Sequence, residues 1–381
     1  MKSLVESPEI CSICIMDKSD PDIVFNEEGV CNHCIEAWPL LEKFTYKKNN
    51  LDELEVMVRR IKDRSLKEPC DYDCVLGVSG GADSSYCAHL AKQYDLKVLL
   101  IHLDNGWDTV ESVQNIKTIV SKTGYDLETE VLDWREFRDI QKSFFLASVM
   151  DVDLPTDHAI KSTLYRVCKK HKCHTILSGV NRRTEHGVPR SWYWRKLDTR
   201  GIRSIHKAFG KLPMRTFPLM GEFTYRIKGV LGLNPNYECP LDNFNYDKKV
   251  AENRLQDDWG WTPPQGKHTE SRITRFYQEQ YLPIKFGIDK RRAHYSALIR
   301  IGELTRSEAM NKLEEEKRSP AELEREFSYV AKKFGFTNQE FKEIIESPPR
   351  AHDFYASDED YVKIIRKPYR YLKRTYPSLL N

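Results

Sequence analysis

The sequence predicts an α/β fold with a parallel sheet, preceded by a zinc-ribbon-like module and followed by a helical C-terminal region. Three observations predict it. Short apolar runs alternate with helical patterns between residues 73 and 178, as strands joined by right-handed helical crossovers do. The first run ends in Ser79-Gly80-Gly81-Ala82-Asp83-Ser84, a glycine-rich turn from strand into helix. Ahead of it stand two Cys-x-x-Cys pairs, Cys11/Cys14 and Cys31/Cys34, separated by sixteen residues, a spacing typical of zinc ribbons and knuckles.

At 381 residues, 40% hydrophobic and 31% charged, the chain has the make-up of a soluble enzyme of more than one domain. No stretch approaches the roughly 18 uncharged apolar residues of a membrane span. Glu6 and Glu9 precede any apolar run, unlike a signal peptide, so the cytoplasm is the expected place. A net charge of +3 makes no global field for nucleic acid. The charge is uneven, however: residues 182–230 carry twelve Lys/Arg against three Asp/Glu. That stretch wants an anionic ligand.

Taken in order, residues 1–48 form the metal module. Ten cysteines in such a chain fit metal ligation in a reducing compartment better than disulfides. A thioredoxin-like pair would sit at a βα junction, whereas these pairs lie among turn signals, Asp20-Pro21 and Glu27-Glu28-Gly29. An iron-sulfur cluster is the other competitor, and His33 between two ligands is a solvent-facing knuckle residue or a substitute ligand. Without metal, these residues have little to hold them together. Residues 49–235 form the α/β domain, opening with a charged helical linker at 51–67. Strands are expected at 73–78, 97–103, 128–132 and 174–178, and helices at 84–93, 110–123 with Gly124 as a stop, 135–150 and 157–171. Residues 236–381 are mainly helical, with capping boxes Thr305-Arg306-Ser307-Glu308 and Ser319-Pro320-Ala321-Glu322. The basic run at 363–374 reads as solvated surface.

The turn at Ser79 explains its own glycines. A strand ending in Ser-Gly-Gly before a helix presents backbone N–H groups where the helix dipole favours an anion, and a Cβ there would block close approach of phosphate. Ser79 and Ser84 can add hydroxyl donors. No Gly-Lys-Ser/Thr follows and no third glycine stands at the dinucleotide offset, so neither a Walker A loop nor a dinucleotide fingerprint is present. Over roughly residues 70–185 the chain resembles the PP-loop ATP pyrophosphatases, whose signature is Ser-Gly-Gly-x-Asp-Ser after the first strand of an adenine nucleotide α-hydrolase-like fold. Such enzymes cleave ATP to AMP and pyrophosphate while adenylylating a substrate carbonyl oxygen.

That resemblance implies pyrophosphate binding by Ser79, Gly80, Gly81, Asp83 and Ser84. It puts His102 and Asp104, at the second strand's end, near the adenosine, with Asp104 also offered to Mg2+. It makes Gly179-Val180-Asn181 line the nucleotide and Glu185 a magnesium ligand or polar anchor. Plainer readings stand beside these: a strand-end turn at Asp104-Asn105-Gly106, an ordinary strand-to-loop turn at Gly179, and for Asp157, at a helix start, a simple partner of the helix dipole.

Two basic groups remain. The excursion after Arg182 and Arg183 interleaves Trp192, Tyr193 and Trp194 with Arg190, Arg195 and Lys196, suiting a base-plus-phosphate ligand. Lys285-Phe286-Gly287-Ile288-Asp289-Lys290-Arg291-Arg292-Ala293-His294-Tyr295-Ser296 can clamp phosphates or a carboxylate, or form a solvated helix face. The cysteine module, the PP-loop and this last cluster together resemble the N-acetyl sugar amidotransferases of bacterial surface-polysaccharide and nonulosonic-acid pathways. The resemblance implies conversion of an acetamido group on a nucleotide-activated sugar to an acetamidino group, with ATP, Mg2+, structural Zn2+ and ammonia from a separate glutaminase subunit. It makes Asp83, Ser79, Asp157 and Glu185 the candidate catalytic residues, and Arg182, Arg183, Lys290, Arg291, Arg292 and His294 the substrate-binding ones. The competing resemblance is to tRNA-thiolating PP-loop enzymes, which commonly use further cysteines or an iron-sulfur cluster near the cradle; here Cys168 and Cys173 are separated by four residues rather than two, with Cys74 and Cys87 isolated. A catalytically silent nucleic-acid-binding protein is a third reading, against which the intact Ser-Gly-Gly-x-Asp-Ser stands.

Overall fold

A computed structural model describes residues 9–43, 51–68, 70–263, 270–362 and 364. The chain runs through α1 (Asn32–Lys43), α2 (Leu51–Lys67), β1 (Cys74–Gly77), α3 (Ala82–Gln93), β2 (Val98–Asp104), α4 (Val110–Thr123), β3 (Asp126–Val131), α5 (Trp134–Leu146), α6 (Leu154–Lys170) and β4 (Thr175–Leu177). It continues through α7 (Arg182–Glu185), α8 (Thr199–Phe209), α9 (Glu222–Val230), β5 (Asn236–Glu238), α10 (Lys248–Trp259), α11 (Arg272–Phe276), α12 (Leu282–Phe286), α13 (Lys290–Arg300), α14 (Arg306–Glu315), α15 (Pro320–Phe334) and α16 (Asn338–Glu346). No helix among the described residues is long and apolar enough to cross a membrane.

The five strands are parallel and ordered β3-β2-β1-β4-β5. The chain steps outward from β1 through β2 to β3 and then returns to the other side of β1 as β4. Between the carboxyl ends of β1 and β4 the direction of winding reverses, and this is where an open α/β sheet makes its ligand crevice. One face of the sheet, with Leu76 and Leu100, is covered by α2, α3, α4 and α10 through Leu54, Ile61, Leu90, Ile119 and Leu255; the other is covered by α6 through Tyr165, Val167 and Cys168.

Two expectations are corrected. Residues 51–67 are not a linker, because α2 buries Leu54, Met57 and Ile61 against the sheet and pairs Arg60 with Glu238 of β5 at 2.6 Å. The α/β layer also extends past 235: β5 is its edge strand, and α10 packs on α3 as far as buried Trp261. Asn236-Tyr237-Glu238 is too short and polar to show a strand pattern, so only its pairing with β4 reveals it.

The helical region has an aromatic core. Phe145 of α5 lies 5.1–6.3 Å, centroid to centroid, from Tyr281, Phe276, Phe334 and Phe341, drawn from α11 to α16. Both expected capping boxes form, at Thr305 and Ser319. Cys11, Cys14 and Met16 join the same core, so the cysteine module is seated on the C-terminal helices. The basic run at 363–374 lies outside the described residues apart from residue 364. Phe145→Ala should destabilise the protein by about 3–5 kcal/mol, measured as a lower midpoint in denaturant unfolding.

Candidate functional site

The segment Ser79–Ser84 turns from β1 into α3 at the crevice. Gly80 has φ +78°, and a Cβ there would stand 2.4 Å from the Ser112 carbonyl oxygen, so this position takes glycine on both counts. The Gly80 carbonyl is held from outside, accepting from Asn115 Nδ2 at 3.0 Å and Trp261 Nε1 at 3.1 Å. The Ser79 hydroxyl accepts the Gly81 N–H at 3.3 Å, and Ser84 Oγ donates to the Gly81 carbonyl at 3.2 Å. Gly81 is the N-cap of α3 and no side chain caps that helix. Its first-turn N–H groups have no intrahelical partners. They form an anion site of the kind a phosphate fills.

The neighbouring loops close on this turn. A Cβ on Gly179 would lie 3.1 Å from Ser84 N, so the loop after β4 packs directly on the start of α3. Asn181 is buried and caps α7, accepting the Arg183 N–H at 2.9 Å, while its Nδ2 has no hydrogen-bond partner. Asp83 accepts from the Tyr246 hydroxyl at 2.6 Å. A Cβ on Gly81 would stand 3.1 Å from the Glu270 carboxylate, so a second carboxylate reaches the same turn.

His102 and Asp104 have structural duties. His102 Nδ1–H donates to the Val78 carbonyl at 3.2 Å and Nε2 faces Asp108 at 3.2 Å. Burial works against its charge, but the Asp108 carboxylate outweighs burial and holds the imidazole above its ordinary value. Asp104 accepts the Gly106 N–H at 2.8 Å, closing the Asp-Asn-Gly turn. Asp157, in the first turn of α6, pairs with Lys196 at 2.7 Å. Glu185 ends α7.

The structure separates the basic residues that the sequence groups. Arg182 pairs with Asp242 at 3.3 Å and Arg183 with Glu303 at 3.1 Å. Arg195 pairs with Glu222 and Glu359. Arg291 folds back onto Asp289, the N-cap of its own helix. Arg292 pairs with Asp17 at 2.9 Å and donates to the Ile15 carbonyl at 3.0 Å, tying α13 to the cysteine module. Lys285 donates to the last carbonyls of α16, Ile344 and Ile345. The His294 ring lies 5.6 Å from that of Tyr295. Lys290 Nζ stands above the ring of Tyr277 and within the field of Asp151.

The four cysteines of the module gather, with their sulfurs all within 4.8 Å of one another. Cys14 and Cys31 are 3.7 Å apart and Cys11 and Cys34 4.0 Å, close to the edge of about 3.8 Å that a tetrahedron of 2.3 Å zinc–sulfur bonds requires. Arg300 reaches Cys34 at 3.4 Å and Arg306 donates to the Cys14 carbonyl at 3.2 Å. A cationic helix thus faces what would be a thiolate cluster. His33 is bound to Asp20 at 2.6 Å rather than to the cysteines.

Residues 270–369 match the family model described as LPS biosynthesis protein WbpG-like, C-terminal domain, and residues 73–167 match the one described as Queuosine biosynthesis protein QueC. The chain joins a PP-loop domain to a WbpG-like C-terminal domain. Glu270, Lys285 and Lys290 lie within the WbpG-like stretch. Similar solved structures include an NMN synthetase from Francisella tularensis, at 12% identity and TM-score 0.34 over 74% of this chain and 93% of that one. They also include an NH3-dependent NAD synthetase from Campylobacter jejuni, at 15% and 0.30 over 57% and 98%, and an NAD+ synthetase from Burkholderia pseudomallei, at 16% and 0.29 over 59% and 94%. TM-scores this low carry no argument about substrate or mechanism. No curated protein matches the chain.

Sequence reading missed Asn115, Trp261, Tyr246 and Glu270. Each acts through the tertiary fold from a segment with no motif of its own. Gly80→Ala should cost about 1–2 kcal/mol in left-handed strain alone and remove ATP binding, read by denaturant unfolding and by nucleotide titration. Asp108→Asn should lower the His102 pKa, followed by NMR titration of its ring protons. The stability that Asp108 lends is complete below the unfolded value of about 6.5 and fades as pH rises through the folded value. The stability difference between wild type and Asp108→Asn should shrink over that rise.

Proposed function

We propose that this protein is an ATP-dependent amidotransferase that converts the acetamido group of a nucleotide-activated sugar to an acetamidino group in surface-polysaccharide biosynthesis. The observation that carries the reading is that the WbpG-like region supplies side chains to the PP-loop crevice, Glu270 at Gly81 and Lys290 beside Asp151. One domain binds the nucleotide and the other selects what is activated.

The cradle of Ser79, Gly80, Gly81 and Ser84 receives the β and γ phosphates on backbone and hydroxyl donors. Asn181 Nδ2 and Gly179 border the nucleotide, with His102 and Asp104 shaping the strand ends behind it. Asp83 and Glu270 are the carboxylates that would hold Mg2+, a cation that takes one or two carboxylates together with phosphate oxygens and offsets their charge. An amide carbonyl is a poor electrophile. Its oxygen attacks the α-phosphorus, pyrophosphate departs, and the adenylylated carbon accepts ammonia as AMP leaves with the oxygen. No side-chain nucleophile is needed, and ammonia comes from a glutaminase partner in the cytoplasm.

Arg182, Arg183, Arg291 and Arg292 serve the fold through their ion pairs, so recognition of the sugar's anionic part falls to Lys290 with His294 nearby in sequence. Zn2+ on Cys11, Cys14, Cys31 and Cys34 would fix the module to α13 and α14 through Arg300 and Arg306. The sulfur-transfer alternative has less support. Burial pushes the Cys74 and Cys87 thiols well up, and Cys173 precedes β4, at the opposite end of the sheet from the cradle.

Purified protein given Mg-ATP, ammonium and a panel of UDP- or CMP-linked acetamido sugars should form AMP, pyrophosphate and a sugar in which NH replaces the carbonyl oxygen, read by mass spectrometry. ATP-dependent sulfur incorporation into tRNA with no such sugar would overturn the reading. Asp83→Ala should abolish ATP cleavage, whereas Cys11→Ser should cost bound metal and solubility before chemistry.

A further inference from the structure

Four residues beyond Glu270, the Thr274 hydroxyl donates to Asp153 at 2.8 Å. Four residues of chain span at most about 14 Å, so Asp153 lies a short way from the phosphate cradle. Asp151, Asp153 and Asp157 meet there with Lys196 and Lys290. Lys196 Nζ stands 2.7 Å from both Asp151 and Asp157, and Lys290 Nζ lies 4.7 Å from the Tyr277 ring centre. His352 accepts the Asp151 N–H at 3.0 Å and is neutral, since burial pushes it down to about 4.

Three polar atoms of this cluster lack partners. Asp151 Oδ1, Asp153 Oδ1 and the Tyr277 hydroxyl are buried without a hydrogen-bond partner, in residues 1%, 6% and 2% exposed. Buried polar groups in native proteins are almost always satisfied, so three together point to an occupant. Among the described residues the four module cysteines are the one group of three or more His, Cys, Asp or Glu side chains that gathers closely enough for a metal ion. Three carboxylates against two ammonium groups leave one negative charge in excess, the amount that a single transferred proton removes. That excess charge and the unpartnered carboxylate oxygens favour a ligand that offers N–H groups.

We propose that this pocket admits ammonia and that Asp153 takes the proton ammonia sheds as it attacks the activated carbon. The inference rests on the amidotransferase reading. The nitrogen lone pair forms the new C–N bond to the protonated O-adenylyl amide, one N–H proton of the resulting ammonium passes to the Asp153 carboxylate, and the C–O electron pair leaves with AMP. The sugar keeps an amidinium. Asp151 and Asp157 are occupied with Lys196, whereas Asp153 takes hydroxyl donors and its Oδ1 has no hydrogen-bond partner. Burial and the adjacent Asp157 hold Asp153 up to about 6, against the hydroxyls of Thr274 and Thr156 and the charge of Lys196. It is a stronger base than an ordinary aspartate, yet ionised at neutral pH.

The test uses the full chain and two readouts. Acetamido-sugar-dependent ATP–pyrophosphate exchange without ammonium reports adenylylation, and amidine formation with ammonium reports the second half. Asp153→Asn should keep exchange and lose about 100-fold or more of amidine formation, with Asp153→Glu recovering part. Tyr277→Phe, which keeps the ring, should raise KM for ammonium several-fold and leave KM for ATP unchanged. Normal amidine formation in Asp153→Asn, a parallel loss of both halves, or an unchanged ammonium KM in Tyr277→Phe would overturn the proposal. If wild type showed no exchange with any acetamido sugar, the amidotransferase reading would fall and the pocket's role with it, a result distinct from exchange without effect of the variants.

Discussion

A helix N-terminus binds an anion only if its N–H groups are left without protein partners, and in this chain that condition depends on the conformation of Gly80. With φ at +78°, the Gly80 carbonyl turns away to Asn115 and Trp261, and the first-turn amides of the helix that Gly81 opens carry no side-chain cap. Those two side chains come from α4 and from just past α10, on one face of the sheet. Gly179 closes the opposite side from β4. Much of the α/β layer can be understood as the means of keeping one peptide in a left-handed turn at the point where the sheet's winding reverses.

That dependence explains what was legible in the sequence. The strands β1, β2 and β4 and helices α3 to α6 were readable because their apolar patterns are local, and the cysteine pairs and Ser-Gly-Gly were readable because their chemistry lies in adjacent residues. β5 was not, since three polar residues become a strand only by pairing with β4. Tyr246, Trp261 and Glu270 are likewise invisible one by one: each becomes part of the cradle by the packing of a segment far along the chain.

The basic residues give the opposite lesson. A sequence shows charge but not the partner that consumes it. Arg182, Arg183, Arg195, Arg291 and Arg292 look like an anion-binding surface, and each is engaged by a carboxylate of its own fold. Ion pairs this short reduce the field available to a ligand. Lys290 differs in that its Nζ stands over the Tyr277 ring, in the field of Asp151, while Arg291 takes the Asp289 carboxylate of their own turn. The same placement gathers Asp153, Asp157 and Lys196 from the start of α6 and the excursion before α8, joining the two matched regions at one crevice.

The account turns on one bond change, the passage of the acetamido oxygen from sugar to nucleotide. The direct measurement is to supply an acetamido sugar carrying a heavy-oxygen label in its carbonyl, with Mg-ATP and ammonium, and to find the label by mass spectrometry. The account predicts the label in the phosphate of AMP and an unlabelled acetamidino sugar. Label retained in the sugar while ATP is consumed, or released into water, would contradict it.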